Sequence, residues 1–531
     1  MTGAGSIGMR SLAAAVMSGW LPVGQTAPQA VPLDRLWFEG ALGAIAHADT
    51  LFARLIDALR TVFFWEIAGV PPILLWLLWG GIFFTVRMGF VNIRGFRHAI
   101  AIVRGKYDSN NSAGEVSHFQ ALSTALSGTV GLGNIAGAAI AVQLGGPGAI
   151  VWMTLSGLLG MSSKFVECTL AQQFREVRAN GTIAGGPMYY LSRGLAARSL
   201  PRLGRVLAAF FAVLCIGAAM GGGNMFQANQ SWAALASTVP WFAERAWVYG
   251  VLLAALVGLT IIGGIGRIGA VASSLVPAMV AVYTGSCLLI FCLHWSELPH
   301  AIATIYGSVF QPGALSGGFV GAFVQGLRRG AFSNGAGLGA ASIAHAAART
   351  DEPVREGIVA TLEPAIDTAI ICNLTAVTIV VTGATQSTAA LDADGVQLAA
   401  VAFATVVDWF PFVLTIAVLL FAFSTTISWS YYGEQAWVYL FGEDNTLAYK
   451  LLFIGAAFVG TIFNLDTVLN FSDIMLLAMA IPNLVGCFLL SGDIAADLQL
   501  YWQRLSLEKT GAIASAPHIA PEREYTSSTH D

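Results

Sequence analysis

Charge is what this sequence has least of. Asp, Glu, Lys and Arg together make up 11% of its 531 residues, where soluble domains carry about a quarter. That scarcity excludes an ordinary soluble protein. Recognisable metal or redox chemistry is missing too. The six cysteines, Cys168, Cys215, Cys287, Cys292, Cys372 and Cys487, include no Cys-x-x-Cys pair and have no histidine at ligand spacing beside them. They read as packing residues. The net charge of −4 carries little weight, because in such a chain the placement of Lys and Arg matters more than their sum. Nothing supports nucleic-acid binding.

What remains is apolar. At 56% hydrophobic residues and a mean hydropathy of +0.70, the chain is expected to be an all-α polytopic membrane protein. Residues 9–24 hold one Arg and a short apolar run, which reads equally as a poor signal peptide or as a loosely structured N-terminus with a late start at Met9. Between about 36 and 62, apolar residues at helical spacing are interrupted by His47, Asp49, Arg54, Asp57 and Arg60, the pattern of an interfacial amphipathic helix.

Eleven stretches then match the length of a bilayer crossing: 67–86, 119–143, 147–172, 205–234, 246–264, 268–293, 316–345, 357–383, 397–428, 447–464 and 468–491. If the loop at 87–116 is cytoplasmic, fifteen Lys and Arg fall in inside loops and only Arg245 outside. This positive-inside bias places the N-terminal segment, 1–66, outside and the tail, 496–531, in the cytoplasm, with the membrane domain at 67–495.

One stretch breaks the apolar pattern. Ser127 to Gly137 packs four glycines into eleven residues, and non-helical backbone at membrane depth survives only where it lines a cavity or a site. Gly131-Leu132-Gly133 has a counterpart in Gly337-Leu338-Gly339, 206 residues and five spans later. An odd number of spans inverts the second half relative to the first, giving repeat halves at about 117–293 and 316–491 with one extra N-terminal span. Paired glycine-interrupted spans in inverted halves point to a carrier's midplane site. Close helix packing through Gly133-x-x-x-Gly137 is the plainer alternative. No strand precedes the glycines, so a nucleotide loop is not expected.

At these residues the sequence resembles the alanine or glycine:cation symporters. The likeness runs through SHFQALSTALSGTVGLGNIAG (117–137), GGPGAIVWM (145–153), GMSSKFVECTLA (160–171), GGPMYYL (185–191), GGGNMFQAN (221–229), GGIGRIGAVASSLVPAM (263–279), RGAFSNGAGLG (329–339), EPAIDT (363–368), FAFSTTISWSYYGE (421–434) and MAIPNL (479–484). It implies a leucine-transporter-type fold of five plus five inverted spans, sodium as coupling ion, a small neutral amino acid as substrate, and an inner-membrane location. Two positions depart from the family. Gly335 stands where a Glu is usual, and Leu132 where a Thr is common.

Broken helices suit a zwitterion. Backbone N–H groups around Gly131, Leu132 and Gly133 offer a positive helix end to a carboxylate, and carbonyls freed near Phe332, Ser333 and Asn334 can accept from an ammonium group. Phe421, Ser424 and Thr425 share one helical face, from which a carbonyl and two hydroxyls can converge with the carbonyls of Ser127 and Val130 on a hard cation. This matches the second sodium site of the leucine-transporter fold. Hydroxyls bonding back to their own helix are the alternative. Thr129 and Asn134 are candidates for another cation, or Asn134 caps its half-helix. Resemblance implies that Gln227 meets substrate, the alternative being an interhelical hydrogen bond, and its spacing from Asn224 allows both to face one cavity. Trp429 and Phe332 are candidate walls.

The apolar spans also hold charges. Glu363 and Asp367 share a face and suggest a proton relay. Lys164 and Glu167 are spaced as an ion pair. Asp408, Glu434 and Asp473 lie near span ends, and Arg328 and Arg329 are expected to steer a carboxylate or to pair with Glu434. The expected function is sodium-driven import of alanine or glycine. The rivals are proton coupling and a membrane-embedded enzyme built on Glu363 and Asp367 or on His345 near Ser342, for which no nucleophile, base and orienting acid are recognisable.

Overall fold

The computed structural model describes residues 49–509 apart from 55, 62, 108–111, 180, 311–317, 387–394 and 407–408. The signal-like start, the C-terminal tail beyond 509 and Asp408 lie outside the described residues. The one small sheet among the described residues is a hairpin of Glu176–Val177 and Ile183–Ala184. Otherwise the elements are helices.

Residues 49–54 and 56–61 are helical and dock through Phe52, whose ring lies 5.0 Å from Phe471 and 6.1 Å from Phe463. Asp49 accepts a hydrogen bond from Asn464. Then come α1 (Pro72–Arg87), α2 (His118–Thr129), α3 (Ala138–Gly145), α4 (Ala149–Gln173), α5 (Pro201–Met220), α6 (Phe226–Thr238), α7 (Ala246–Ile261) and α8 (Gly264–Leu293). The second half holds α9 (Gly318–Asn334), α10 (Ser342–Ala346), α11 (Pro353–Ala360), α12 (Asn373–Val381), α13 (Val396–Ala404), α14 (Phe410–Phe441), α15 (Thr446–Gly460), α16 (Leu465–Ala478) and α17 (Ala480–Lys509).

Local chemistry sets several of these ends. Ser117 and Gln120 form a capping box at the start of α2, with Gln120 N donating to Ser117 Oγ at 3.2 Å and Ser117 N to Gln120 Oε1 at 3.0 Å. Prolines open α1, α5, α11 and α14 in their first turns, where a missing N–H costs nothing. Wide π turns interrupt three long helices, at Gly221–Met225 between α5 and α6, at Ala365–Cys372 before α12, and at Gly133–Gly137 before α3. Such turns concentrate at functional sites.

Among the described residues, six helices are long and apolar enough to cross a membrane, and the pair α2 with Gly133–Gly145, bent by 50° at its break, makes a seventh. The shorter α1, α7, α9 and α15 stand where the remaining expected spans lie. The architecture is thus the expected all-α polytopic one, and it is consistent with eleven spans in two inverted halves. One expected span is redrawn. Instead of one helix at 397–428 there are α13 and a separate, longer α14. Pro411 restricts the residue before it and lacks an N–H to continue the ladder, while its apolar neighbours Trp409, Phe410 and Phe412 hide the break from a hydropathy pattern.

The turn at Gly221–Met225 anchors α15. Asn224 Nδ2 donates to the Phe453 carbonyl at 2.6 Å, away from Gln227, so the two amides do not face one cavity as expected. The wide turn alters the helical offset between them. Asn224→Ala is expected to lower the midpoint of thermal unfolding by loss of a buried hydrogen bond, a cost of about 1–2 kcal/mol. An unchanged midpoint in detergent would count against this anchoring.

Candidate functional site

The break between α2 and α3 faces α14. Thr425 Oγ1 donates to the Ser127 carbonyl at 2.9 Å, Ser127 Oγ donates to the Ser424 carbonyl at 2.6 Å, and Ser424 Oγ donates to the Phe421 carbonyl at 3.0 Å. Ser127, Phe421 and Ser424 are fully buried and Thr425 nearly so. The structure therefore brings these four expected ion ligands together, with buried Val130 at the end of α2 beside them. Ser424 bonds back into its own helix, whereas Thr425 crosses to the break.

Gly131 is required here by close approach. A Cβ at that position would lie 2.3 Å from Thr425 Oγ1 and 3.3 Å from Gln227 Oε1. The backbone donors of the break are not free as expected. Gly131 N donates to Asn134 Oδ1 at 3.0 Å and Leu132 N to Gln227 Oε1 at 3.1 Å. Gln227 is held in turn by its Nε2 donating to the Gly222 carbonyl at 2.9 Å. Trp429 Nε1 donates to the Gly128 carbonyl at 2.8 Å, and the indole packs on Gly223. The Phe332 ring contacts the position of a Gly133 Cβ at 3.2 Å and meets Phe226 edge-on at 5.2 Å. The expected walls, Phe332 and Trp429, thus pack directly on the glycine segments.

The second break spans residues 335–341, between α9 and α10. Gly335, Gly337 and Gly339 all have positive φ, at 60°, 84° and 81°, which only glycine adopts without strain. No hydrogen bond reaches the carbonyls of Phe332, Ser333 and Asn334 among the described residues. Gly335, where the family commonly has Glu, leaves an added Cβ 3.7 Å from Lys164 Nζ.

Asp367 joins the two breaks. Its Oδ1 accepts from Asn134 Nδ2 at 2.8 Å, Thr368 Oγ1 at 3.0 Å and Ser333 Oγ, while Oδ2 has no partner although the residue is fully buried. Asn134 therefore both caps the break and reaches Asp367. Thr129 is apart from this set, its hydroxyl donating to the Ala125 carbonyl at 3.2 Å. A buried carboxylate oxygen without a donor is costly, and Asp367 Oδ2 is such an atom, set between the two breaks. The spacing with Glu363 concealed these partners.

Other charges find partners that local spacing did not indicate. Lys164 pairs with Glu363 at 3.0 Å rather than with Glu167, which accepts from Asn483 at 2.7 Å. Asp367 and Glu363 bind different groups and form no direct relay. Arg328 and Arg329 both pair with Asp473 through its Oδ2, while Glu434 pairs with Lys450 at 3.2 Å. His345 turns to carboxylates, and Ser342 Oγ donates to the Gly339 carbonyl, so no nucleophile and base are assembled there. Glu356 and His118 went unremarked in the sequence, although a carboxylate inside an apolar segment is a signal in its own right.

Two broken helices whose breaks meet near the middle of a helical membrane bundle, with hydroxyl, carbonyl and carboxylate oxygens around them, define a secondary transporter of the leucine-transporter type. The crystal structure of MhsT in complex with L-phenylalanine has this fold and superposes with a TM-score of 0.51 at 12% identity, covering 70% of this chain and 88% of that one. The chain belongs to the sodium:alanine symporter family, whose sequence model matches residues 51–514. It is 39% identical over 451 residues to the sodium/alanine symporter AgcS of Methanococcus maripaludis, covering 85% of this chain and 97% of the relative. It is 33% identical over 446 residues to the probable sodium/glutamine symporter GlnT of Bacillus subtilis, covering 82% and 90%. The protein is a cation-coupled amino-acid symporter and not an enzyme.

Proposed function

We propose that this chain imports small neutral amino acids, alanine and glycine first, driven by sodium and by alternating access around its two breaks. The observation that carries the reading is the meeting of Ser127 and Thr425 across the first break, where carbonyl and hydroxyl oxygens converge from two helices that must move relative to each other. Ser127, Val130, Phe421, Ser424 and Thr425 hold one sodium. Asn134, Ser333 and Asp367 hold a second cation, from which Thr129, bonded back into its own helix, stands apart. The substrate carboxylate meets the backbone at Gly131, Leu132 and Gly133 beside Gln227, its ammonium group meets the carbonyls from Phe332 to Asn334, and Phe332 and Trp429 close over it. Family membership supports a bacterial-type inner membrane, and the charge of the loops supports residues 1–66 outside and the tail at 496–531 in the cytoplasm, with the transporter domain at 67–495 between them.

Uptake into proteoliposomes under an imposed sodium gradient tests this. Accumulation of alanine or glycine that disappears when the gradient is removed is expected, and no accumulation across a panel of amino acids would overturn the reading. Ser424→Ala is expected to raise the sodium concentration for half-maximal uptake by about tenfold, the loss of one ligand contact to a charged group. An unchanged sodium dependence would move the ion elsewhere.

A further inference from the structure

Five titratable side chains outside the proposed substrate and sodium sites form one continuous chain, each at most 2% exposed. His118 Nδ1 meets Glu356 Oε2, Glu356 Oε1 meets His345 Nδ1 at 2.5 Å, His345 Nε2 meets Glu363 Oε1 at 2.6 Å, and Lys164 Nζ donates to Glu363 Oε2 at 3.0 Å. Both nitrogens of one imidazole thus face carboxylate oxygens. A neutral imidazole has a single N–H and can donate to only one of them. The other contact would set a lone pair against a lone pair in a site with no water to separate them. The geometry requires one proton more than a neutral His345 between two carboxylates supplies. With that proton on His345 and with His118 neutral, Lys164 and His345 balance Glu356 and Glu363 within the chain.

The placement of the chain gives the proton a consequence. His118 is the first residue of α2 and His345 belongs to α10, so Glu356 of α11 ties together the ends of both broken spans on one face of the molecule. The same ends are joined by backbone, with Glu115 N donating to the Ala347 carbonyl and Arg349 N to the Val116 carbonyl, both at 2.8 Å. Arg175 spans them as well, donating to the carbonyls of Ala113, Ala346, Ala348 and Thr350 at 2.6–3.0 Å. The titratable and charged groups that face His345 and its carboxylates are Lys164, Glu167 and Cys168 of α4, Arg175 beyond it, His118 of α2 and Tyr432 of α14. Cys168, His345 and Glu363 lie close enough to suggest metal ligands, but the imidazole and carboxylate are already committed to each other, to Glu356 and to Lys164.

We propose that this chain is a proton-binding site, occupied at His345 between Glu356 and Glu363 while the ends of α2 and α10 are held together, and emptied to water when they part. It rests on the reading of the chain as a carrier whose two faces open in turn. The proton leaves to, and returns from, the compartment on that face, so the pH there sets how readily the ends rejoin.

Two measurements test it. In lipid, 15N-histidine spectra of the wild type are expected to show an imidazolium signal at pH 8 that is absent from His345→Gln, and a neutral His345 at pH 6 would overturn the proposal. In proteoliposomes with the pH of each compartment set separately, sodium-driven uptake is expected to change by at least about threefold between pH 6 and 8.5 on that face alone, and His345→Gln is expected to flatten the profile. An identical profile in wild type and His345→Gln would also overturn it. Should His345→Gln not fold, Glu356→Gln serves, with its profile displaced to lower pH because one carboxylate no longer holds the proton. If the wild type shows no sodium-driven uptake at all, the transport reading fails, and the spectra decide the proton site independently.

Discussion

Replacing Gly131 with alanine is expected to reduce sodium-driven uptake by about fivefold to 150-fold, the rate equivalent of the 1–3 kcal/mol that overpacking costs. The added methyl would sit 2.3 Å from Thr425 Oγ1 and 3.2 Å from its Cβ. Thr425 cannot yield without giving up the Ser127 carbonyl, so the clash is relieved only by separating α14 from the break. Sodium dependence should therefore worsen together with the rate. Gly285 provides the control, because a Cβ there meets nothing within 4 Å and alanine in mid-helix favours the helix. Gly131→Ala retaining uptake within about twofold of wild type, less than any overpacking cost allows, would show that the two helices do not meet as described.

Asp473→Asn is expected to be the most damaging single change of charge. Arg328 and Arg329 share Asp473 Oδ2, and Arg329 and Asp473 are 2% and 1% exposed. The pair Arg328 and Arg329 already outnumbers its one carboxylate, and Arg329 keeps Nε and Nη1 without partners. Removing the carboxylate leaves two guanidinium groups facing each other over Phe64 and Phe332, which costs about 3–5 kcal/mol as a buried pair broken on one side. A large fall in the thermal midpoint and in folded yield should follow. The double variant Arg329→Gln with Asp473→Asn should recover part of both, since it lowers the uncompensated charge. A single variant as stable as wild type would mean that the cluster is solvated.

What could be read in the sequence, and what could not, divides along the range of the interactions. The first break was legible because four glycines in eleven residues have no use in a continuous span, and the second because it repeats the first at a fixed offset. Phe421, Ser424 and Thr425 were legible because one helical turn places them on one face, whatever the rest of the chain does. The partners of the charges were not. Spacing favours Lys164 with Glu167, yet Lys164 meets Glu363, 199 positions away, and only the packing of α4 against the segment after α11 decides that. The same holds for Asp473 with Arg328 and Arg329. Asn224 and Gln227 were misjudged because the wide turn at Gly221–Met225 changes the angular offset that a regular helix would give them. Asp367 is legible as a charge in an apolar span but its partners are not, because Asn134 and Ser333 come from both halves of the repeat.

The backbone amides of Gly131 and Leu132 bear on how tightly this carrier can hold its cargo. Each already donates to a side-chain carbonyl, of Asn134 and of Gln227. A substrate carboxylate bound there, as proposed, would have to displace two acceptors rather than fill two vacancies, and would gain only the difference between an anionic and a neutral acceptor. Its apparent dissociation constant would then be weakened by the fraction of molecules in which those amides stand open. Grip would thereby be traded for exchange, and an empty carrier with both side chains in place, as in this structure, would return without exposing unpaired backbone.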